Sequence, residues 1–168
     1  ICGMNAVQSD NAVRIFREYY EARGKFENRP YDGALEMLQT LNAHGKKLMI
    51  ATAKPEHLAV SIADHFGLSP YLCFISGVTN DEMEKMGDPG VRSNKKDVLL
   101  HILRSNDIKD PENAVMVGDR AYDMSAAREL GLQTLGVLYG YGSREELLGA
   151  GAQDLVETPM DIVRHIIE

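Results

Sequence analysis

Ala114-Val-Met-Val-Gly-Asp-Arg-Ala-Tyr-Asp-Met-Ser-Ala-Ala-Arg-Glu-Leu-Gly131 is the stretch whose reading decides the fold. Four apolar residues, Ala114 to Val117, run straight into Gly118-Asp119, and a second acid, Asp123, follows where a helical pattern starts. A short apolar run of this kind reads as a strand buried on both faces. Gly118 lets the chain turn sharply. Asp119 is then left at the carboxyl end of the strand, the edge where open α/β sheets bind ligands. Two carboxylates so close repel each other unless a cation lies between or beside them. Gly-Asp-x-x-x-Asp therefore points to a hard, oxygen-seeking ion such as Mg²⁺. The competing reading makes Asp119 a turn residue and Asp123 a helix cap, with no metal.

Working outward, Lys46-Lys-Leu-Met-Ile-Ala-Thr52 is a strand led in by charge. It ends at Thr52-Ala53-Lys54-Pro55, a polar loop that opens a helix near Glu56. A hydroxyl and successive backbone N–H groups ahead of a helix form an anion seat; a plain cap or a β-branched strand residue is the rival for Thr52. Arg92-Ser-Asn-Lys-Lys-Asp97 opens a helix whose inner face is Val98, Leu99, Ile102 and Leu103. Lys95 and Lys96 there oppose the helix dipole at a cost of roughly a few tenths of a kcal/mol. A sequence accepts that cost where an ammonium serves an anion; two solvated lysines are the alternative.

Downstream, Gln133 to Leu138 reads as a strand, and Tyr139-Gly-Tyr-Gly-Ser143 as a Gly-rich loop without the P-loop ending. A helix over 144–149, an edge strand Asp154–Val156 and a helix from Pro159 close the chain. Upstream, Ser9 and Asp10 offer a cap for a helix to Gly24, with Val13, Phe16, Tyr19 and Tyr20 as its packing face. A turn at 28–33 leads to a helix with Leu35, Leu38 and Leu41 inward. Tyr71 to Ile75 reads as a strand. Asn80 to Gly90, with Asp81, Glu82, Glu84 and Asp88, reads as an exposed loop whose acids are solvated rather than metal-binding.

The tally is five strands, near 47–52, 71–75, 114–118, 133–138 and 154–156, with a helix after most of them. Such alternation predicts an α/β fold with a parallel sheet covered on both faces. Thr52, Lys95 and Asp119 then stand at strand-to-helix transitions that can converge on one edge. At 168 residues the chain is long enough for one domain with a real core. Its net charge of −7 argues against a nucleic-acid surface. Cys2 and Cys73 lack zinc or redox spacing, so a reduced cytoplasmic chain is expected. No apolar run approaches the roughly 18 residues of a membrane span, and no signal peptide is visible.

In combination these pieces resemble the haloacid dehalogenase superfamily of phosphohydrolases, in its phosphoglycolate phosphatase-like branch with a helical cap. The matching segments are Pro30-Tyr-Asp-Gly33, Leu48 to Pro55, Arg92-Ser-Asn-Lys95, Val117 to Asp123, and Gly136 to Ser143, in the family's order. The resemblance implies a Rossmann-like parallel sheet and a Mg²⁺-dependent phosphatase for a small phosphomonoester, phosphoglycolate first. Thr52 would bind the phosphoryl group with Ala53 and Lys54 beside it, Lys95 (or Lys96) would neutralise charge, Asp119 would bind Mg²⁺, and Asp123 would hold the metal or its water.

The family's first motif, Asp-x-Asp-x-Thr on the first and central strand, is missing from the chain. The acids before Thr52 are Asp10, Glu18, Glu21, Glu27, Asp32 and Glu36, and none ends an apolar strand. By resemblance residues 1–28 are the last part of the cap and 29–168 the core without its first strand. The chain begins at Ile1, and a preceding segment that carries the nucleophile is expected. The 168 residues alone are not expected to fold stably. The alternatives are a non-catalytic phosphate- or protein-binding relative, and a nucleotidase of the same superfamily. A signalling receiver domain is disfavoured, because it would carry no Gly-Asp-x-x-x-Asp.

Overall fold

The computed structural model describes residues 3–79 and 90–168. Helix α1 (Ala6–Ala22) begins the chain. It starts earlier than Ser9 and Asp10 suggested, because Asn5 forms a reciprocal capping box with Gln8. Helix α2 (Ala34–Ala43) leads to strand β1 (Met49–Pro55), helix α3 (Glu56–His65) and strand β2 (Phe74–Val78). Past residue 90 come α4 (Lys95–Ser105), β3 (Val115–Gly118), α5 (Ala121–Glu129) and β4 (Gln133–Val137). Helix α6 (Arg144–Gly149), strand β5 (Asp154–Val156) and helix α7 (Pro159–Ile167) complete it.

Strands β1 and β2 are both displaced from the sequence reading. Pro70 starts a tight 3-10 turn over Ser69–Tyr71, so β2 begins at Phe74 rather than Tyr71. Strand β1 runs on through Thr52 to Pro55, where a loop was expected. It does so irregularly, since its register against β2 shifts between Ala51 and Pro55. The acidic stretch 80–89 lies outside the described residues.

Every strand pair is parallel, but the strands form two separate groups. Strand β1 pairs with β2, and β3 pairs with β4, which pairs with β5. Among the described residues no strand joins β1 to β3. Between their facing edges lies a cavity of about 840 Å³, lined by Leu48 to Ala51 on one side and Ala114 to Val117 on the other. Leu41, Leu99, Leu103 and Ile162 close it above and below. A slot bordered by two open strand edges and apolar side chains has the shape of a missing parallel strand.

Three apolar clusters hold the layers. Leu41, Leu135, Val137, Val156, Ile162 and Val163 join α2, β4, β5 and α7. Leu99, Leu103, Met116, Ala126, Ala127 and Leu132 join α4, β3 and α5. Met124, Leu147 and Ala152 seat α6. Leu135 and Leu147 are wholly buried, each stabilising the fold by about 1.5–3 kcal/mol.

Helix α1 departs from this pattern. Val13, Phe16 and Tyr19 are 47%, 61% and 50% exposed, so most of the stripe predicted as a packing face is left uncovered in the described chain, while Tyr20 reaches Lys54 of β1. The period of apolar residues marks which face could be buried, not whether a partner is present.

Candidate active site

Strand β3 delivers Asp119 just past Gly118, at its carboxyl end. A Cβ on Gly118 would lie 2.5 Å from the Asp123 side chain, so glycine is what lets the first turn of α5 fold back over the strand. Oδ2 of Asp119 accepts the Tyr141 backbone N–H at 2.8 Å. The loop carrying that N–H presses against Asp119: a Cβ on Gly140 would meet its side chain at 2.3 Å, and one on Gly142 its carbonyl oxygen at 2.2 Å. The two glycines of the Gly-rich loop therefore serve to clasp an aspartate. Behind the loop Tyr139 packs edge-on against Tyr31, with ring centroids 4.9 Å apart. Burial first, then Tyr31 and the Asp119 charge, push the Tyr139 phenol up to about 12.

Lys95 is the first residue of α4, whose Asn94 cap accepts the Asp97 N–H at 3.0 Å. The Lys95 ammonium donates to the Ala51 carbonyl of β1 at 2.6 Å and lies 2.9 Å from Oδ1 of Asp123. It thus spans the two strand groups, one end of the contact in β1 and the other in the helix after β3. Oδ2 of Asp123 accepts the Arg120 N–H at 3.2 Å, whereas the buried Oδ1 meets Lys95 as an ion pair and has no hydrogen-bond partner among the described residues. Lys96 points elsewhere, to Glu129 at 2.7 Å on the exposed face.

Thr52 is half-buried in β1, and its hydroxyl accepts the Lys54 N–H at 3.1 Å. Ala53 is exposed, and the Lys54 ammonium is in contact with the Tyr20 hydroxyl of α1. The structure places Lys95 against Asp123 and against the residue preceding Thr52, and places Asp119 against the 139–142 loop.

Several groups near the site escape a sequence reading. Glu146 of α6 accepts both Arg120 Nε and the Ala121 N–H at 2.9 Å, fixing the start of α5. These hydrogen bonds and an Arg120 counter-charge hold its carboxyl below the usual range. Arg92 pairs with Glu56 at 2.9 Å and donates to the Gly77 carbonyl at 2.8 Å, tying α3 to β2. The partners are 26 and 36 residues apart, and no periodicity connects them.

The donor set fits a hard cation in one respect. Asp119 turns Oδ2 to a backbone N–H, and Oδ1 has no hydrogen-bond partner among the described residues. Mg²⁺ characteristically uses one or two carboxylates and completes its shell with water and phosphate oxygens. No cluster of three or more His, Cys, Asp or Glu capable of holding a metal occurs among the described residues. An ion here must draw other ligands from substrate, water or a further segment.

Comparison with known proteins identifies the family. The family model for haloacid dehalogenase-like hydrolases matches residues 4–131. A 5'-nucleotidase of Pseudomonas aeruginosa is 34% identical over 145 residues, 86% of this chain and 62% of the relative. The tyrosine-protein kinase PtkA of Mycobacterium tuberculosis is 37% identical over 135 residues, 80% of this chain and 43% of the relative. Proteins named phosphoglycolate phosphatase match at 28% to 32% identity. A crystal structure of a Clostridium difficile protein described as a phosphatase superposes with a TM-score of 0.88 at 35% identity, covering 98% of this chain and 73% of that one. The chain belongs to the haloacid dehalogenase-like hydrolases and has their α/β fold. It spans 62% and 43% of the lengths of the first two of these curated relatives.

Proposed function

We propose that the protein to which this chain belongs is a Mg²⁺-dependent phosphatase of small phosphomonoesters, working through an aspartyl-phosphate. The observation that carries this reading is the Lys95 ammonium, buried between the Ala51 carbonyl and the Asp123 carboxylate where the two strand groups face each other. A lysine so deeply placed is held for its charge. The roles follow phosphoryl-transfer physics, in which positioning and neutralisation supply most of the rate.

Thr52 donates its hydroxyl to a phosphoryl oxygen, with the Ala53 N–H and the Lys54 ammonium alongside. Lys95 neutralises the nucleophile and the transferring group, and Asp123 keeps Lys95 in place. Asp119 would bind the metal directly, and Asp123 would help to hold the metal or its water. Bound Mg²⁺ would supply charge neutralisation at the phosphoryl oxygens. Among the described residues no acid lines the slot between β1 and β3. In this reading a further strand occupies it and brings an aspartate to its carboxyl end. That carboxylate attacks phosphorus, the P–O ester bond breaks and the leaving oxygen takes a proton from solvent, and water then hydrolyses the acyl phosphate, releasing phosphate and a proton and restoring the carboxylate.

Residues 1–28 are the closing part of a cap and 29–168 the core. The substrate is a small phosphorylated metabolite, phosphoglycolate or a nucleoside monophosphate, the second supported by the relative named 5'-nucleotidase. No nucleic acid or membrane is involved: the net charge is −7, and no helix among the described residues is long and apolar enough to cross a membrane. The free Cys73 supports a cytoplasmic setting.

The product of the complete gene should be assayed against phosphoglycolate, a nucleoside 5'-monophosphate and an aryl phosphate, with and without EDTA. Hydrolysis that EDTA abolishes is expected. Transfer to a protein tyrosine in place of water, or binding without turnover, overturns the reading.

A further inference from the structure

We propose that Tyr20 is a positioning residue, which holds the Lys54 ammonium at the mouth of the site so that its charge is presented to an anionic substrate. This rests on the phosphatase reading and adds a residue of α1 to it. The side chain of Lys54 is half-buried. Its ammonium contacts the Tyr20 hydroxyl and lies 4.8 Å from the centroid of the same ring. No carboxylate pairs with it among the described residues. A lysine withdrawn from water is normally paired with an acid. Here the neutral oxygen of a phenol takes that place. It accepts one N–H without cancelling the charge, and leaves the other N–H groups for a ligand.

The surroundings fix both partners. The Lys54 N–H is bound to the Thr52 hydroxyl. Its carbonyl oxygen lies 2.3 Å from where a Cβ on Gly77 would be, so β2 passes directly beneath. The Tyr20 ring stacks on Phe16, with centroids 5.6 Å apart and planes inclined by 22°. On its other side the ring lies 3.2 Å from where a Cβ on Gly24 would be. A four-carbon stem otherwise samples many rotamers, and the aromatic clamp selects one. Helix α1 has no buried residue, so this contact also ties it to the rim of β1.

The test uses the product of the complete gene and inorganic phosphate as probe, read by calorimetry, together with KM and kcat for an aryl phosphate. Tyr20→Phe keeps the ring and removes the hydroxyl. It should weaken phosphate binding and raise KM by about five-fold, the worth of one hydrogen bond, with a smaller change in kcat. In a Lys54→Met background Tyr20→Phe should have no further effect, which a merely structural role would not produce. Unchanged phosphate affinity and KM in Tyr20→Phe, with activity intact, overturn this proposal alone, as does an effect that persists without Lys54. A wild-type protein that neither binds phosphate nor turns over removes this proposal and the phosphatase reading together.

Discussion

The Lys95 ammonium and the Asp123 carboxylate lie 2.9 Å apart with only 8% and 5% of their side chains exposed. Breaking a buried pair from one side leaves the other charge without compensation, at a cost of about 3–5 kcal/mol. Lys95→Ala should therefore lower the denaturant midpoint sharply and abolish turnover. Lys96 pairs with Glu129 on the open face, and Lys96→Ala should leave both unchanged. Loss of activity confined to Lys96→Ala would show that the wrong lysine has been assigned.

Asp119→Asn retains an oxygen for the Tyr141 N–H and removes the negative charge. The expected result is an unchanged melting temperature with Mg²⁺-dependent hydrolysis lost. Calorimetric titration with Mg²⁺ should show weakened binding in the same variant. Wild-type turnover would refute the metal role.

Gly140 has no room for a methyl group, since its Cβ would fall 2.3 Å from the Asp119 side chain. Gly140→Ala should displace the loop, reduce activity and reduce metal affinity together. Gly149 ends α6, and a Cβ there meets nothing within 4 Å. Gly149→Ala is the control, expected to be neutral or to stabilise by about 0.4–1 kcal/mol.

Tyr139 gives a pH signature. Burial raises its phenol from 10.0 to about 12 in the folded chain. The unfolded chain releases this proton first as pH rises. The contribution to stability is thus complete below pH 10 and is lost between pH 10 and about 12. Melting temperatures across that interval should fall less steeply in Tyr139→Phe than in wild type. Parallel slopes would mean that the ring is solvated.

The parts of this fold legible in the sequence were those whose signal is local. Val98, Leu99, Ile102 and Leu103 read as an inner helix face, and all four are buried. Val115–Gly118 and Gln133–Val137 are the strands their apolar runs suggested. What was not legible depended on distant chain or on turn chemistry. The stripe on α1 was read as buried because periodicity carries no information about what lies opposite. Residues 53–55 read as a loop because the pairing that extends β1 to Pro55 comes from Val78. Tyr20, 34 residues from Lys54, has no local mark that separates it from the aromatic residues around it.

The open edges of β1 and β3 also bear on handling the protein in solution. Unpaired backbone amides and carbonyls recruit any extended chain that meets them. Molecules in which that slot is vacant would act as templates for one another, and their solubility should decline steeply with concentration. A short apolar peptide that fits the slot should keep such molecules monodisperse, and light scattering with and without it would reveal the difference.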